Sequence, residues 1–199
     1  MSLESAFRIA SALVLFSAMG ISVYFRRKAD KEAGETISRK VDGIFLMVII
    51  KLGGLILWIS PLVFLIHPAW MDWAKIGLPV WIRWIAIVIG FVDVVLIYWM
   101  FSSIGLGISP TSATRNHHHL VTNGPYRWIR HPLYTFGSAI FISFGLIADN
   151  WFLILIGILA FILMAIRTPK EEANLVEKFG NEYRNYMKRT GRFFPRIRT

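Results

Sequence analysis

The sequence predicts an all-α integral membrane protein: a helical bundle of about five transmembrane helices with a C-terminal cytoplasmic amphipathic helix. Three observations predict it. Hydrophobic residues make up 55% of the 199-residue chain, more than an ordinary soluble domain of this size uses. Charged residues are only 17% and cluster between long apolar runs. Finally, Lys and Arg collect in three stretches that an odd number of spans puts on one side of a bilayer.

The apolar segments run over roughly 6–25, 44–66, 79–101, 133–148 and 151–166, and make residues 1–199 a single membrane domain. The first three are long enough to cross a hydrocarbon core of ~30 Å at ~1.5 Å per residue. In the first, the basic cluster Arg26-Arg27-Lys28 follows the apolar run instead of preceding it. That order marks a retained helix with its N-terminus outside, not a cleaved signal peptide. The last two segments are short, and Ala148-Asp149-Asn150 between them leaves room only for a tight turn, so they read as a helical hairpin.

Six Lys or Arg lie in 26–42, three in 102–132 and nine in 167–199. Only Arg8 and Lys75 lie near the opposite side, and Arg83 is expected to snorkel from the start of its span. The expected topology is therefore a multi-pass protein, N-terminus outside and C-terminus cytoplasmic, in the inner membrane if the source is bacterial. Lys51 and Asp93 fall inside spans, where isolated charge is costly, and are expected to pair across the second and third helices.

Several chemistries drop out early. With no cysteine, neither a disulfide nor a thiolate nucleophile or metal site is available. The formal net charge of +10 follows the loops and tail, so it points to anionic lipids and not to nucleic acid. His117-His118-His119 invites a metal, but adjacent loop side chains seldom converge on one ion and no carboxylate is close in sequence; no metal is expected. Oligomeric state leaves no mark.

Chemistry is expected in two polar blocks that make up a region of about 105–195. In the first, Asn123-Gly124-Pro125 is a turn signal. Pro132 suits the first turn of the fourth helix, with Arg130 and His131 just ahead of it. In the second, Thr168 and Glu171 have capping-box spacing with Pro169 at the first helical position, which predicts a new amphipathic helix starting there. Leu175, Val176, Phe179, Tyr183 and Tyr186 would form its apolar stripe. Arg167 leaves the fifth span at the hydrocarbon boundary, where its guanidinium, with Glu171 or Glu172 nearby, can clamp a carboxylate in a partly dry site.

The run His118-x-Leu120-Val121-x-x-Gly124-Pro125-Tyr126-x-x-x-Arg130-His131-Pro132-x-Tyr134 resembles the signature of the isoprenylcysteine carboxyl methyltransferase family, much of which membrane phospholipid N-methyltransferases share. Arg167-x-x-x-Glu171-Glu172 and Phe179-Gly180-x-Glu182-Tyr183-x-x-Tyr186 are similar to that family too, whereas Ile108 stands where relatives carry Trp. The likeness covers residues 105–195, about half of the chain.

The resemblance implies methyl transfer from S-adenosylmethionine to a lipophilic or prenylated acceptor entering from the membrane. It implies that His118, Leu120, Val121, Gly124, Tyr126, Arg130, His131, Pro132 and Tyr134 surround the cofactor. Arg130 or backbone N–H groups would take the cofactor's carboxylate. Arg167 would hold a carboxylate acceptor, with Glu172 orienting it or binding the cofactor, and Glu171 would cap the helix. A carboxylate is already ionised and needs no base, whereas a phospholipid amine, the first alternative, needs a proton acceptor such as Glu172 or His131. A membrane NADPH-dependent reductase of related architecture is the second alternative. Gly105-x-Gly107 lacks the strand and spacing of a dinucleotide fold.

Overall fold

Bilayer-length apolar stretches leave a backbone no way to satisfy its polar groups except as helices, and helices are what form. The computed structural model describes residues 2–32, 44–104 and 120–196. Along them run α1 (Leu3–Glu32), α2 (Ile44–Ile66), a 3-10 helix (Pro68–Ala74), α3 (Val80–Ile104) and a second 3-10 helix (Gly124–Arg127). They are followed by α4 (Pro132–Ile147), α5 (Trp151–Phe179) and α6 (Asn181–Arg189). Among the described residues there is no strand, only isolated bridges. Four helices, α1, α2, α3 and α5, are long and apolar enough to cross a membrane, and α4 is a shorter apolar helix. The protein is an integral membrane helical bundle.

The shorter α4 sits at the centre, packed against α1, α3 and α5. Its Ile140, Phe141, Phe144 and Ile147 are buried. Outward-facing Leu52, Leu55, Trp84, Val88 and Val95 stay exposed, a distribution that makes sense only if lipid covers them. Helix association between such surfaces relies on close packing at small residues. Gly145 and Gly157 supply it for α4 and α5. A Cβ on Gly145 would lie 2.6 Å from the Ile154 nitrogen, and one on Gly157 3.1 Å from the Ile142 nitrogen.

The hairpin turn is built from its own side chains. Asn150 Oδ1 accepts from Leu153 N at 3.0 Å, capping α5, and its Nδ2 donates to the Met71 carbonyl at 3.2 Å. The Asp149 carboxylate accepts from Gly77 N and Leu78 N at 3.2 and 2.7 Å. This stitches the α2–α3 connection to the turn.

Three expectations change. Arg83 does not snorkel: it is 3% exposed, pairs with Glu4 through two bonds of 2.7 and 2.9 Å, and donates Nε to the Ile147 carbonyl. A nearby acid at the start of α1 and a carbonyl at the end of α4 make water unnecessary. Lys51 and Asp93 do not pair, because Lys51 lies on the exposed face of α2. Asp93 is buried on α3, its Oδ2 without a hydrogen-bond partner among the described residues. Nor does a helix start at Thr168. The α5 helix runs through Pro169 unbroken to Phe179, and Thr168 Oγ1 donates back to the Met164 carbonyl at 2.8 Å instead of capping. A Thr hydroxyl can bond inward to the preceding turn as readily as it caps. The break comes later, at Gly180, whose φ of +57° suits glycine. The amphipathic stripe is therefore divided between the end of α5 and a short α6.

Asn150→Ala should lower detergent-solubilised stability by about 1–2 kcal/mol through loss of the cap, and Gly145→Leu should cost more because backbone blocks the new side chain. Thermal melts followed by Trp fluorescence check both; equal melting of Gly145→Leu and the parent would contradict the packing account.

Candidate active site

After α6 the chain turns back, and backbone pairing fixes where it goes. Gly191 N donates to the Trp128 carbonyl at 2.9 Å, Arg130 N to the Gly191 carbonyl at 2.9 Å, and His131 N to the Arg192 carbonyl at 3.0 Å. The segment 128–131, immediately before α4, is thus laid beside 191–192. The Gly124–Arg127 turn seats against α3: Gly124 has φ +58°, and any Cβ there would collide with the Ser103 side chain. Tyr186 of α6 closes the arrangement by donating to the Tyr126 carbonyl at 2.6 Å.

These pairings gather one buried carboxylate and its donors. Glu172, on α5 beyond the apolar part that ends near Ile166, is 3% exposed. Its Oε1 accepts from Arg130 Nε at 2.7 Å and lies 3.3 Å from His131 Nε2. Its Oε2 accepts from Arg192 Nη2 at 2.6 Å and Nε at 3.1 Å. Burial alone would raise this carboxyl, but hydrogen bonds from His131, Arg192 and Arg130 outweigh it and hold Glu172 at about 2. Arg130 is committed on its other side as well, Nη1 donating to the carbonyls of Met187 and Thr190. So Arg130 ties α5, α6 and the returning segment together.

A second carboxylate is one residue away. Glu171 Oε2 accepts from the Tyr134 hydroxyl at 2.6 Å. The His131 and Tyr134 rings stack with centroids 5.5 Å apart and 5° between planes, and Phe193 lies against His131 at 6.0 Å. Burial raises the hydroxyls of Tyr126, Tyr183 and Tyr186 well above the ordinary phenol range, so none supplies a phenolate at neutral pH.

Of the sequence-predicted residues, Arg130, His131, Tyr134 and Glu172 converge, Pro132 begins α4 beside them, and Tyr126 lies one turn away under Tyr186. Arg167 is half-buried on α5 one turn before Glu171. Gly124 has a packing role against α3. Leu120 and Val121 are half-buried ahead of that turn, and His118, with the whole His117–His119 run, lies outside the described residues. Glu171 does not cap a helix but holds Tyr134. Among the described residues no group of three His, Asp or Glu could hold a metal ion. Sequence reasoning missed Arg192: only the non-helical Gly191-Arg192-Phe193 run after α6 hinted at it, and nothing in that run names the segment it pairs with.

Next to Tyr134 opens a cavity of about 800 Å³. Among the described residues α1 packs on α3 and α4 while α2 packs on α5, and the space between α1 and α2 is what remains. Its walls are almost wholly apolar, with Leu57, Trp58, Phe141, Ile156 and Leu163 among them.

The phospholipid methyltransferase family matches residues 80–182, from the start of α3 into α6 and just over half of the chain. The chain belongs to that family. Among curated proteins it is similar to the nickel-cobalt-cadmium resistance protein NccN of Alcaligenes xylosoxydans xylosoxydans, 37% identical over 78 residues that cover 39% of this chain and 37% of that one. It is also similar to the cobalt-zinc-cadmium resistance protein CzcN of Cupriavidus metallidurans, 32% identical over 83 residues, 42% of this chain and 38% of that one. The chain thus spans under two fifths of the curated relatives it matches.

Replacing Glu172 with Gln should destabilise the protein by about 3–5 kcal/mol, the range for breaking a buried ion pair, since three donors then share a neutral amide. A melt in detergent at neutral pH measures it; no change would mean that the cluster does not hold α6 in place. The linked pH effect has a definite sign. A carboxyl held below its unfolded value near 4.5 contributes stability above that pH and loses it as pH falls toward 2.

Proposed function

We propose that the protein transfers the methyl group of S-adenosylmethionine to a carboxylate on a lipophilic acceptor that reaches the site from the bilayer. The observation that carries this reading is the saturation of Glu172. A carboxylate already facing Arg130, His131 and Arg192, and held at about 2, is no general base. An acceptor that is ionised beforehand needs none.

The donor set suits the cofactor. When bound, S-adenosylmethionine supplies a methyl group activated by a sulfonium centre. Its ammonium and sulfonium charges call for a carboxylate, which Glu171 offers. Its own carboxylate calls for a cation, and Arg192, with 41% of its side chain exposed, is better disposed to that than the enclosed Arg130. The stacked His131–Tyr134 pair presents aromatic surface for adenine. Arg167 holds and orients the acceptor carboxylate, and the apolar cavity takes its tail while excluding water. Positioning and desolvation can carry much of a displacement of this kind.

A second reading follows from the family description itself: the acceptor is a phospholipid amine. It needs a proton acceptor, and Glu171, bonded to Tyr134, is the described carboxylate available for it. Nothing in the site favours a nicotinamide-dependent reductase. Both methyl-transfer readings place the reactive end on the cytoplasmic face of an inner membrane, N-terminus outside, where the basic tail meets anionic lipids. The relatives' names suggest a setting in heavy-metal tolerance for the modification.

Transfer of labelled methyl from the cofactor to lipid extracts, read against pH, tests the proposal. A carboxylate acceptor gives rates flat from about pH 6 to 9, well above its ionisation near ~4–5; an amine gives rates that climb as it loses its proton. Arg167→Ala should abolish transfer, by at least about a hundredfold, while cofactor binding persists. Undiminished turnover in that variant would remove Arg167 from the site, and absence of any labelled lipid would sink the proposal.

A further inference from the structure

One polar side chain on α5 takes no part in the clusters above. Asn174 is half-buried, and its Nδ2 is enclosed with no hydrogen-bond partner among the described residues. An amide N–H shut away from water is costly when nothing accepts from it, so it calls for a partner.

Its place on the helix narrows what that partner is. Positions i, i+4 and i+7 share a helix face, so Arg167, Glu171 and Asn174 form one stripe along the C-terminal half of α5. All three are half-buried, whereas Ala173 and Glu177 are exposed and Thr168 and Glu172 are buried on the adjoining face. Asn174 stands ~4.5 Å beyond Glu171 along the axis and ~10 Å beyond Arg167, further from the apolar run. Glu171 in turn holds Tyr134, whose ring stacks on His131.

Methyl transfer needs acceptor, methyl carbon and sulfur in a row. With the acceptor at Arg167, on the apolar side, and the sulfonium beside Glu171, the rest of the cofactor extends toward Asn174. Its carboxylate goes to Arg192, so the group left for Asn174 is the nucleoside. Adenine offers what an amide complements: a ring nitrogen that accepts beside an exocyclic amine that donates.

We propose that Asn174 is a cofactor-binding residue that reads the adenine: its Nδ2 donates to ring nitrogen N7 and its Oδ1 accepts from the adjacent exocyclic amine. This rests on the methyltransferase reading and adds to it a selector for the base, a task that stacking alone does not perform.

Binding of S-adenosylhomocysteine, its 7-deaza analogue (C–H in place of N7) and 5′-methylthioadenosine to the full chain in neutral detergent, measured by calorimetric titration, is the test. The parent should bind S-adenosylhomocysteine about tenfold more tightly than the 7-deaza analogue. Asn174→Leu, similar in size but without polar atoms, should weaken S-adenosylhomocysteine about tenfold and bind the two alike. Asn174→Gln, which keeps the amide, should recover part of the difference. Binding of 5′-methylthioadenosine, which lacks the amino-acid end, should fall by the same factor in Asn174→Leu; an unchanged affinity would put the amide on the amino-acid end and overturn the assignment. Without ligand, Asn174→Leu should melt no lower than the parent, since it removes an unanswered amide. A lower melt would overturn the assignment too, because the amide would then serve the fold. So would equal binding of S-adenosylhomocysteine and the 7-deaza analogue by the parent, or an undiminished difference in Asn174→Leu, and either leaves the methyltransferase reading standing. No S-adenosylhomocysteine binding by the parent would sink that reading and this one together.

Discussion

The site depends on one carboxylate. Glu172 sits a turn and a half past the long apolar run of α5 that ends near Ile166, and draws in Arg130, His131 and Arg192 from two other parts of the chain. A buried ion of this kind is tolerable only if every lone pair is answered. The segments that answer it are those whose backbones pair directly, 128–131 with 191–192. The charge adds to those backbone bonds in holding the residues after α6 against the head of α4, since α6 itself is only nine residues long. The same saturation that builds the site also removes Glu172 as a base, so structure and chemistry constrain each other through one residue.

Much of the bundle was legible in the sequence because hydrocarbon solvent permits few solutions. Long apolar runs become helices, Pro132 starts α4, and Asp149-Asn150 makes the turn. What misled was local chemistry with two possible partners. Thr168-Pro169 reads as a helix start, yet the Thr hydroxyl found the Met164 carbonyl and α5 continued. Arg83 reads as a snorkelling residue, yet Glu4, seventy-nine positions earlier, lay within 2.7 Å. Lys51 and Asp93 read as a pair, yet they face different surroundings. For Thr168 and Arg83 the deciding contact lies in the preceding turn or on another helix, and no periodicity encodes which one wins.

The site was half visible for a related reason. Arg130, His131, Tyr134 and Glu172 stood out through motif spacing, but their mutual bonds span about forty residues. Arg192 carried no motif at all and became meaningful only through the Gly191 bridge. Division of labour along the membrane normal completes the picture. Glycine contacts and buried aromatics in α4 and α5 give a rigid centre. The charges gather at its ends, and the loosely packed α1–α2 side leaves space for something apolar.

Equilibrium titration of the detergent-purified protein with S-adenosylhomocysteine, with NADPH as control ligand, tests the central claim most directly. The account predicts saturable binding near one per chain for the first, none for the second, and loss of binding when His131 is replaced by Ala. Binding of NADPH, or folded protein that takes up neither ligand, would contradict it.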